Sequence, residues 1–451
     1  MSELKIIGRH TATVLVGQLA VMAFGVTDTI VAGRYSAQTL AALSVGSAIY
    51  ISVFVGLMGV LQALLPVWAE LHGARRLLEV GRSFRQALFL CLITVVLGMG
   101  LLLWSEPLLR WTDVPLDLHA EVKAYLAVLA LALPPSLLFR MFSTLNQSLG
   151  RPLLVTWLQI GSLLVKVPLS IWFVFGGWGL SPQGAVGCAW ATLVVNYLML
   201  GWALFLLRNQ ALYRPYRIWS PLERPNWSAI ASFARLGLPG GLAIMVEVTS
   251  FTLMALFIAR LGTVASASHQ IAANLTALCY MTPLAIAIAA SSRVSFWLGA
   301  EQADKARSAI RLGLQMSLVA GLSLSLIMLL AGPTLAGIYS SNLEVVALAT
   351  TLLSWVALYL VADSIQVVCV FFLRCFKVTL LPLLVYCLLL WGLGLAGGYL
   401  LAYQDMGLGA AWQTATAFWA SSAVALWLTA VIFLLLLWQV LSVQKTKGWP
   451  R

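Results

Sequence analysis

Apolar runs of roughly twenty residues or more recur from one end of this chain to the other, separated by short polar connections. The pattern predicts twelve helices, at 11–33, 40–68, 86–104, 121–142, 153–176, 185–207, 236–259, 266–292, 309–331, 346–372, 379–402 and 412–440. Each can cross a hydrocarbon core of ~30 Å, in which only helices and closed barrels satisfy their own backbone groups. The longest polar connection, RNQALYRPYRIWSPLERPNW, follows the sixth run. It predicts an N-terminal six-helix lobe over 1–212, an inter-lobe linker over 213–230 and a C-terminal six-helix lobe over 231–451.

The two halves resemble each other at matched places. GCAWAT (187–192) opens the sixth run and GAAWQT (409–414) the twelfth; HGARR (72–76) corresponds to LGAEQ (298–302), and SLGRP (148–152) to RCFKV (374–378). These pairs lie 222 to 226 residues apart, so one internal repeat accounts for all three. Six is even, so both copies enter the membrane in the same direction. The expected fold class is an all-α integral membrane protein, with twelve transmembrane helices in two six-helix lobes related by a pseudo-two-fold axis along the membrane normal.

Composition agrees: 61% of residues are hydrophobic and only 9% are charged, with a mean hydropathy of +0.95. A soluble domain of this length needs more charge to cover its surface. The net charge of +12 raises the question of nucleic acid, but the placement of the bases argues against it. They gather in alternate connections, at Arg75, Arg76, Arg82 and Arg85, at Arg208, Arg214, Arg217 and Arg224, at Lys305, Arg307 and Arg311, and in the tail at Lys445, Lys447 and Arg451. The connections of opposite parity hold little basic charge, WSEPLLRWTDVPLDLHAE being net acidic. This positive-inside pattern puts both termini in the cytoplasm. The start, MSELKIIGRHTATVL, lacks a small-residue cleavage site, so the first helix is expected to stay in the mature protein. The six cysteines have no CxxC spacing and read as small buried hydrophobes.

Charges inside lipid are costly, so the few present point to function. Of fifteen acids, three lie well inside the runs: Asp28, Glu247 and Asp363; one base, Lys166, joins them. Helix rise from the nearest basic marker places Glu247 at roughly 18 Å beyond Arg235, Asp363 at roughly 16 Å from Arg374 and Tyr280 at roughly 20 Å from Arg293. Two carboxylates and a phenol at one depth suit a hard cation such as Na⁺, Glu247 and Asp363 being the candidate metal ligands; alternatively the carboxylates share a proton. The plainer reading is that each acid belongs to a local polar network. Asp28 falls at roughly 28 Å beyond Arg9 and Lys166 at roughly 22 Å beyond Arg151, compatible with a pair if the first and fifth helices adjoin. Such a pair is either a buried structural contact or a switch. His269 reads as a hydrogen-bonded structural residue. The sequence has no Walker A, HExxH or GxSxG motif and no Cys/His metal cluster, which argues against an enzyme and against an ATP-driven pump.

Three passages then carry a family resemblance: GLPGGLAIMVEVTSFTLMALFIARLG (237–262), SASHQIAANLTALCYMTPLAIAIAASSRVSFWLGA (266–300) and YLVADSIQVVCVFFLRCFK (359–377). In order and spacing the chain resembles the MATE (multidrug and toxic compound extrusion) family, in its NorM-like branch. The resemblance implies Na⁺/drug or H⁺/drug antiport. It matches Glu247 and Asp363 to the acids of the seventh and tenth helices, Tyr280 to an aromatic near the cation site and Asp28 to the first-helix acid linked to ion coupling. Tyr359 and Gln270 match supporting polar positions. Lys166 and Ser170 depart from the family, whose fifth helix tends to carry asparagines there; a lysine beside Asp28 takes the place of a bound cation, so the coupling site is expected in the second lobe.

The expected function is export of small amphipathic, often cationic drugs by alternating access in exchange for Na⁺ or H⁺, with no other cofactor. The protein is expected to act as a monomer among the lipids of a bacterial inner membrane. A lipid-linked oligosaccharide flippase shares this architecture, but a basic cavity would suit its diphosphate better, and Lys166 is the residue that keeps that alternative open.

Overall fold

The computed structural model describes residues 2–107, 116–177, 179–404 and 412–447. Twelve helices in it are long and apolar enough to span a membrane. They are α1 (Glu3–Tyr35), α2 (Ala37–Gly73), α3 (Leu77–Leu103), α4 (Leu118–Ser148), α5 (Leu153–Phe175), α6 (Gly184–Asn209), α7 (Trp227–Ala259), α8 (Thr263–Gly299), α9 (Ala303–Tyr339), α10 (Leu343–Cys375), α11 (Leu380–Tyr403) and α12 (Ala415–Gln444). Each expected run corresponds to one of them in order, mostly with extra turns at the ends. Polar residues extend a helix beyond the apolar run because its ends leave the lipid. Part of the GAAWQT repeat, part of the acidic connection before α4 and the tail base Arg451 lie outside the described residues.

Local chemistry shapes several of these helices. In α2 the ladder tightens where Leu64 N–H donates to Leu61 O, and Pro66 sits in the first turn of the continuation Leu65–Gly73. A proline is tolerated there because its missing N–H would have had no partner. By contrast, Pro134, Pro135, Pro168, Pro239 and Pro283 lie inside continuous helices, as membrane helices allow. In α11 the stretch Cys387–Ala396 has i→i+5 bonding between two α-helical ends.

The chain divides into two compact units, Val16–Gly241 and Met1–Leu15 with Leu242–Arg451. The divisions fall inside α1 and α7. The start of α1 groups with the second-half helices, where both Glu3 oxygens accept from Arg293 on α8, at 2.6 and 3.1 Å. The start of α7 groups with the first-half helices. A Cβ at Gly241 would lie 2.4 Å from the Gly56 carbonyl oxygen of α2, so glycine permits that crossing.

The connection after α6 is bound to the first-half helices. It makes a tight helical turn at Ala211–Tyr216 and then packs so closely that a Cβ at Gly81 would fall 1.8 Å from the Tyr216 oxygen. Arg85 donates to the Arg217 carbonyl and to Glu223, both at 2.7 Å, and Arg82 donates to Glu223 at 2.8 Å. Gln86 clasps the next turn, donating to the Arg224 carbonyl and accepting from Asn226 N–H. These hydrogen bonds from Arg85 and Arg82 hold the Glu223 carboxyl below its usual value.

Candidate functional site

Among the described residues of the first-half unit, one ion pair is buried on both sides. Lys166 on α5 is fully buried, and both Asp28 oxygens on α1 lie 2.9 Å from its Nζ. The same ammonium donates to the Cys188 carbonyl at 3.1 Å and to Thr192 Oγ1 at 2.6 Å, both on α6. Ser170, one turn along α5, donates to Asp28 Oδ1 at 3.0 Å. Three ammonium protons thus meet a carboxylate, a carbonyl and a hydroxyl. Asp28 and Lys166 are brought together as their depths suggested, and Ser170, noted as a departure from the family, completes the contact. Thr192 and the Cys188 carbonyl carried no signal in the sequence, since any buried helix supplies such groups.

In the second-half unit the acids are arranged differently. Asp363 on α10 is almost fully buried, with 1% of its surface exposed. Its Oδ1 accepts from Gln366 Nε2 at 3.0 Å, while its Oδ2 is buried without a hydrogen-bond partner. Glu247 on α7 and Tyr280 on α8 are half-buried. Asp363 acts electrostatically on Glu247, and both acids act on Tyr280, Tyr359 and Tyr386. Tyr359 is buried edge-on between Phe251 and Trp419, with ring centroids 6.0 Å from each. The helices thus gather Glu247, Asp363, Tyr280 and Tyr359 in one region. Gln270 stands apart: it lies ten residues before Tyr280 on α8, roughly 15 Å of helix rise, and its side chain is exposed.

The sequence signal missed four members of this region. Gln366 and Tyr386 extend the Asp363 contact, since the Tyr386 hydroxyl donates to Gln366 Oε1. Trp391 of α11 donates to the carbonyl of Val246, the residue before Glu247, at 3.2 Å. Arg374 served only as a depth marker, yet it is buried, stacks over Phe371 at 4.7 Å and acts on Glu247, Tyr280 and Tyr386. A buried arginine next to the end of an apolar run was the one available cue. His269 packs against Trp419 at 5.8 Å, and its Nδ1 has no hydrogen-bond partner, so packing rather than a hydrogen bond at Nδ1 accounts for that side of the ring.

Among the described residues no group of three or more His, Cys, Asp and Glu side chains is placed to hold a metal. The second-half donors are instead two carboxylates with phenols and an amide. Such an oxygen set suits a proton or a weakly held hard cation rather than a tightly held transition metal.

Comparison with known proteins gives one consistent result. The family model described as MatE matches residues 14–172 and 239–400. The two stretches begin 225 residues apart, the spacing of the internal repeat. The chain is 37% identical over 435 residues to a probable multidrug resistance protein NorM of Aromatoleum aromaticum, covering 96% of this chain and 94% of that one. It is 33% identical to the multidrug resistance protein PmpM of Pseudomonas aeruginosa, covering 90% of this chain and 85% of that one. The crystal structure of the Vibrio cholerae MATE transporter VcmN in its bent form superimposes with a TM-score of 0.84 at 19% identity, covering 99% and 98% of the two chains.

Proposed function

The chain belongs to the MatE family, and we propose that it is a secondary antiporter that exports small amphipathic, often cationic compounds in exchange for Na⁺ or H⁺. The observation that carries the coupling site is the second-half acid pair. Asp363 keeps one buried oxygen without a partner, and no Lys or Arg side chain forms a salt bridge with it or with Glu247 among the described residues. A buried carboxylate oxygen without a partner is costly unless a proton or cation joins it. Glu247, Asp363 and Tyr280 would hold the ion, with Tyr359 as a neighbouring phenol. Loading from outside would favour drug release, and unloading to the cytoplasm would reset the carrier by alternating access. Carboxylates and aromatic faces both favour organic cations, and the relatives' names attribute multidrug resistance to them.

In this reading Asp28 is not the main coupling acid, because Lys166 already supplies its counter-charge. The same contact weighs against a flippase: the base that would meet a diphosphate directs its protons to Asp28, Cys188 and Thr192. Gln270, exposed and ten residues from Tyr280 along α8, is left out of the ion site in this reading. The location is a bacterial inner membrane with both termini cytoplasmic, an orientation supported by the alternating basic connections. The carrier acts as a monomer among lipids and is not an enzyme.

The test is ethidium efflux from liposomes containing the purified protein, with Na⁺ and pH gradients imposed separately. One gradient is expected to drive efflux, and Glu247→Gln or Asp363→Asn to cut the ion-driven rate by roughly ten- to a hundredfold, the usual range of coupling energies. Efflux with undiminished ion dependence in both variants would overturn the reading.

A further inference from the structure

The i→i+5 stretch of α11 bears on both acids. Such stretches are rare and occur frequently at functional positions. Tyr386 immediately precedes this one and donates to Gln366, which donates to Asp363. Trp391 within it donates to the carbonyl next to Glu247. The irregular segment and the residue just before it therefore reach the α7 backbone beside Glu247 and the α10 side chain that bonds Asp363. Gln366, Tyr386 and Asp363 are all buried, so water does not compete for these bonds.

We propose that α11 is the fourth arm of the cation site, beside α7, α8 and α10, with Tyr386 and Gln366 as positioning residues that set how Asp363 meets the coupling ion. The inference rests on the antiporter reading above. A carboxamide has a donor end and an acceptor end. With the phenol donating to Oε1, only the amide NH₂ faces Asp363. Oδ1 is then held as an acceptor, and Oδ2 is left for the ion. A reversed amide would turn Oε1 toward the carboxylate, an arrangement that needs a proton between the two oxygens. The Tyr386 hydroxyl selects the first arrangement, and its loss frees the amide to take either. The other titratable or charged groups acting on this region are Glu247 on α7, Cys279 and Tyr280 on α8, and Tyr359 and Arg374 on α10. They bear on the region in the wild type and in the variants alike.

The experiment measures ethidium efflux in liposomes against coupling-ion concentration (Na⁺ or pH, whichever drives transport) and separately against ethidium. Tyr386→Phe keeps the ring on Phe433, whose centroid lies 5.2 Å away. It is expected to shift the half-saturating ion concentration about tenfold, the loss of one buried hydrogen bond, with KM for ethidium at saturating ion unchanged. Gln366→Met carries the same test should Tyr386→Phe fail to fold. In the double variant the two shifts are expected not to add, because both break one chain of contacts. Tyr403→Phe is the comparison: it removes a hydroxyl that donates to the Phe257 carbonyl at 2.7 Å from the far end of α11, and the ion dependence should stay as in the wild type. An unshifted ion dependence in Tyr386→Phe and Gln366→Met, a parallel rise in KM for ethidium, or an equal shift in Tyr403→Phe would overturn the inference. If Glu247→Gln and Asp363→Asn abolish coupling while Tyr386→Phe behaves as wild type, the positioning role alone falls. If those acid variants change nothing, the antiporter reading falls with it.

Discussion

The two halves descend from one repeat, yet their buried acids are treated in opposite ways. In the first half Asp28 meets a lysine within 2.9 Å, and that lysine's other protons meet a carbonyl and a hydroxyl. In the second half Asp363 meets an amide on one oxygen and nothing on the other. The two acids sit on helices that do not correspond in the repeat, α1 and α10, and the first meets a lysine while the second keeps one oxygen without a partner. The difference lies in a single type of partner. Lys166 supplies a side-chain amine to Asp28, whereas no Lys or Arg forms a salt bridge with Asp363 among the described residues. A contact completed within the chain favours structure, whereas an unmet carboxylate oxygen leaves room for a partner from outside it.

The sharpest way to break this comparison is to remove the lysine of the first-half pair. Lys166→Met leaves Asp28 buried and uncompensated, and removal of one partner of a buried pair costs roughly 3–5 kcal/mol. Thermal unfolding in detergent should show a large drop for Lys166→Met and recovery when Asp28→Asn is added. Asp363→Asn should leave the unfolding temperature at or above that of wild type, since no salt bridge is broken. Equal losses in Lys166→Met and Asp363→Asn would erase the distinction between the halves.

A smaller effect probes the polish of the first-half pair. Ser170→Ala removes one hydrogen bond to an ionised carboxylate, worth about 1.5 kcal/mol. The same unfolding assay should register that loss with ion-driven efflux unchanged. A marked change in ion dependence would place Asp28 in the coupling cycle.

The smallest effect is expected outside the membrane, at the clasp formed by Arg82, Arg85 and Glu223. Here too an acid is paired with basic side chains, but at the surface, where solvent screens it. The Glu223 carboxyl lies below its ordinary value of 4.5 because Arg85 and Arg82 hydrogen-bond to it. Its contribution is therefore complete above that ordinary value and is lost as pH falls through the depressed one. Glu223→Gln should lower the unfolding temperature slightly at neutral pH and flatten its fall on acidification. An unchanged acid limb would mean that the clasp adds nothing to stability.

Legibility in the sequence followed cost. Asp28, Lys166, Glu247 and Asp363 stood out because charge in an apolar run is expensive and therefore informative. Gln366, Tyr386 and Trp391 did not, since an amide or an aromatic in a membrane helix is ordinary. Their partners lie 3, 20 and 145 residues away, and the longer spacings follow no local rule. Arg374 was visible but was read as the end of a span, because hydropathy marks where a helix meets polar surroundings and not what its last turn packs against. Gln270 came from the family resemblance alone, and the structure leaves its side chain exposed, ten residues before Tyr280 on α8.

By itself the sequence determined twelve apolar helices and their internal repeat, and it singled out the few charges within them. Hydrocarbon cannot satisfy a backbone, so apolar length dictates helix. Only the tertiary structure decided which charges are already paired. That depends on helix rotation and on which neighbours adjoin. These are settled by packing many small contacts at once, as where Gly241 lets α7 close on α2 and where α11 carries Tyr386 to Gln366.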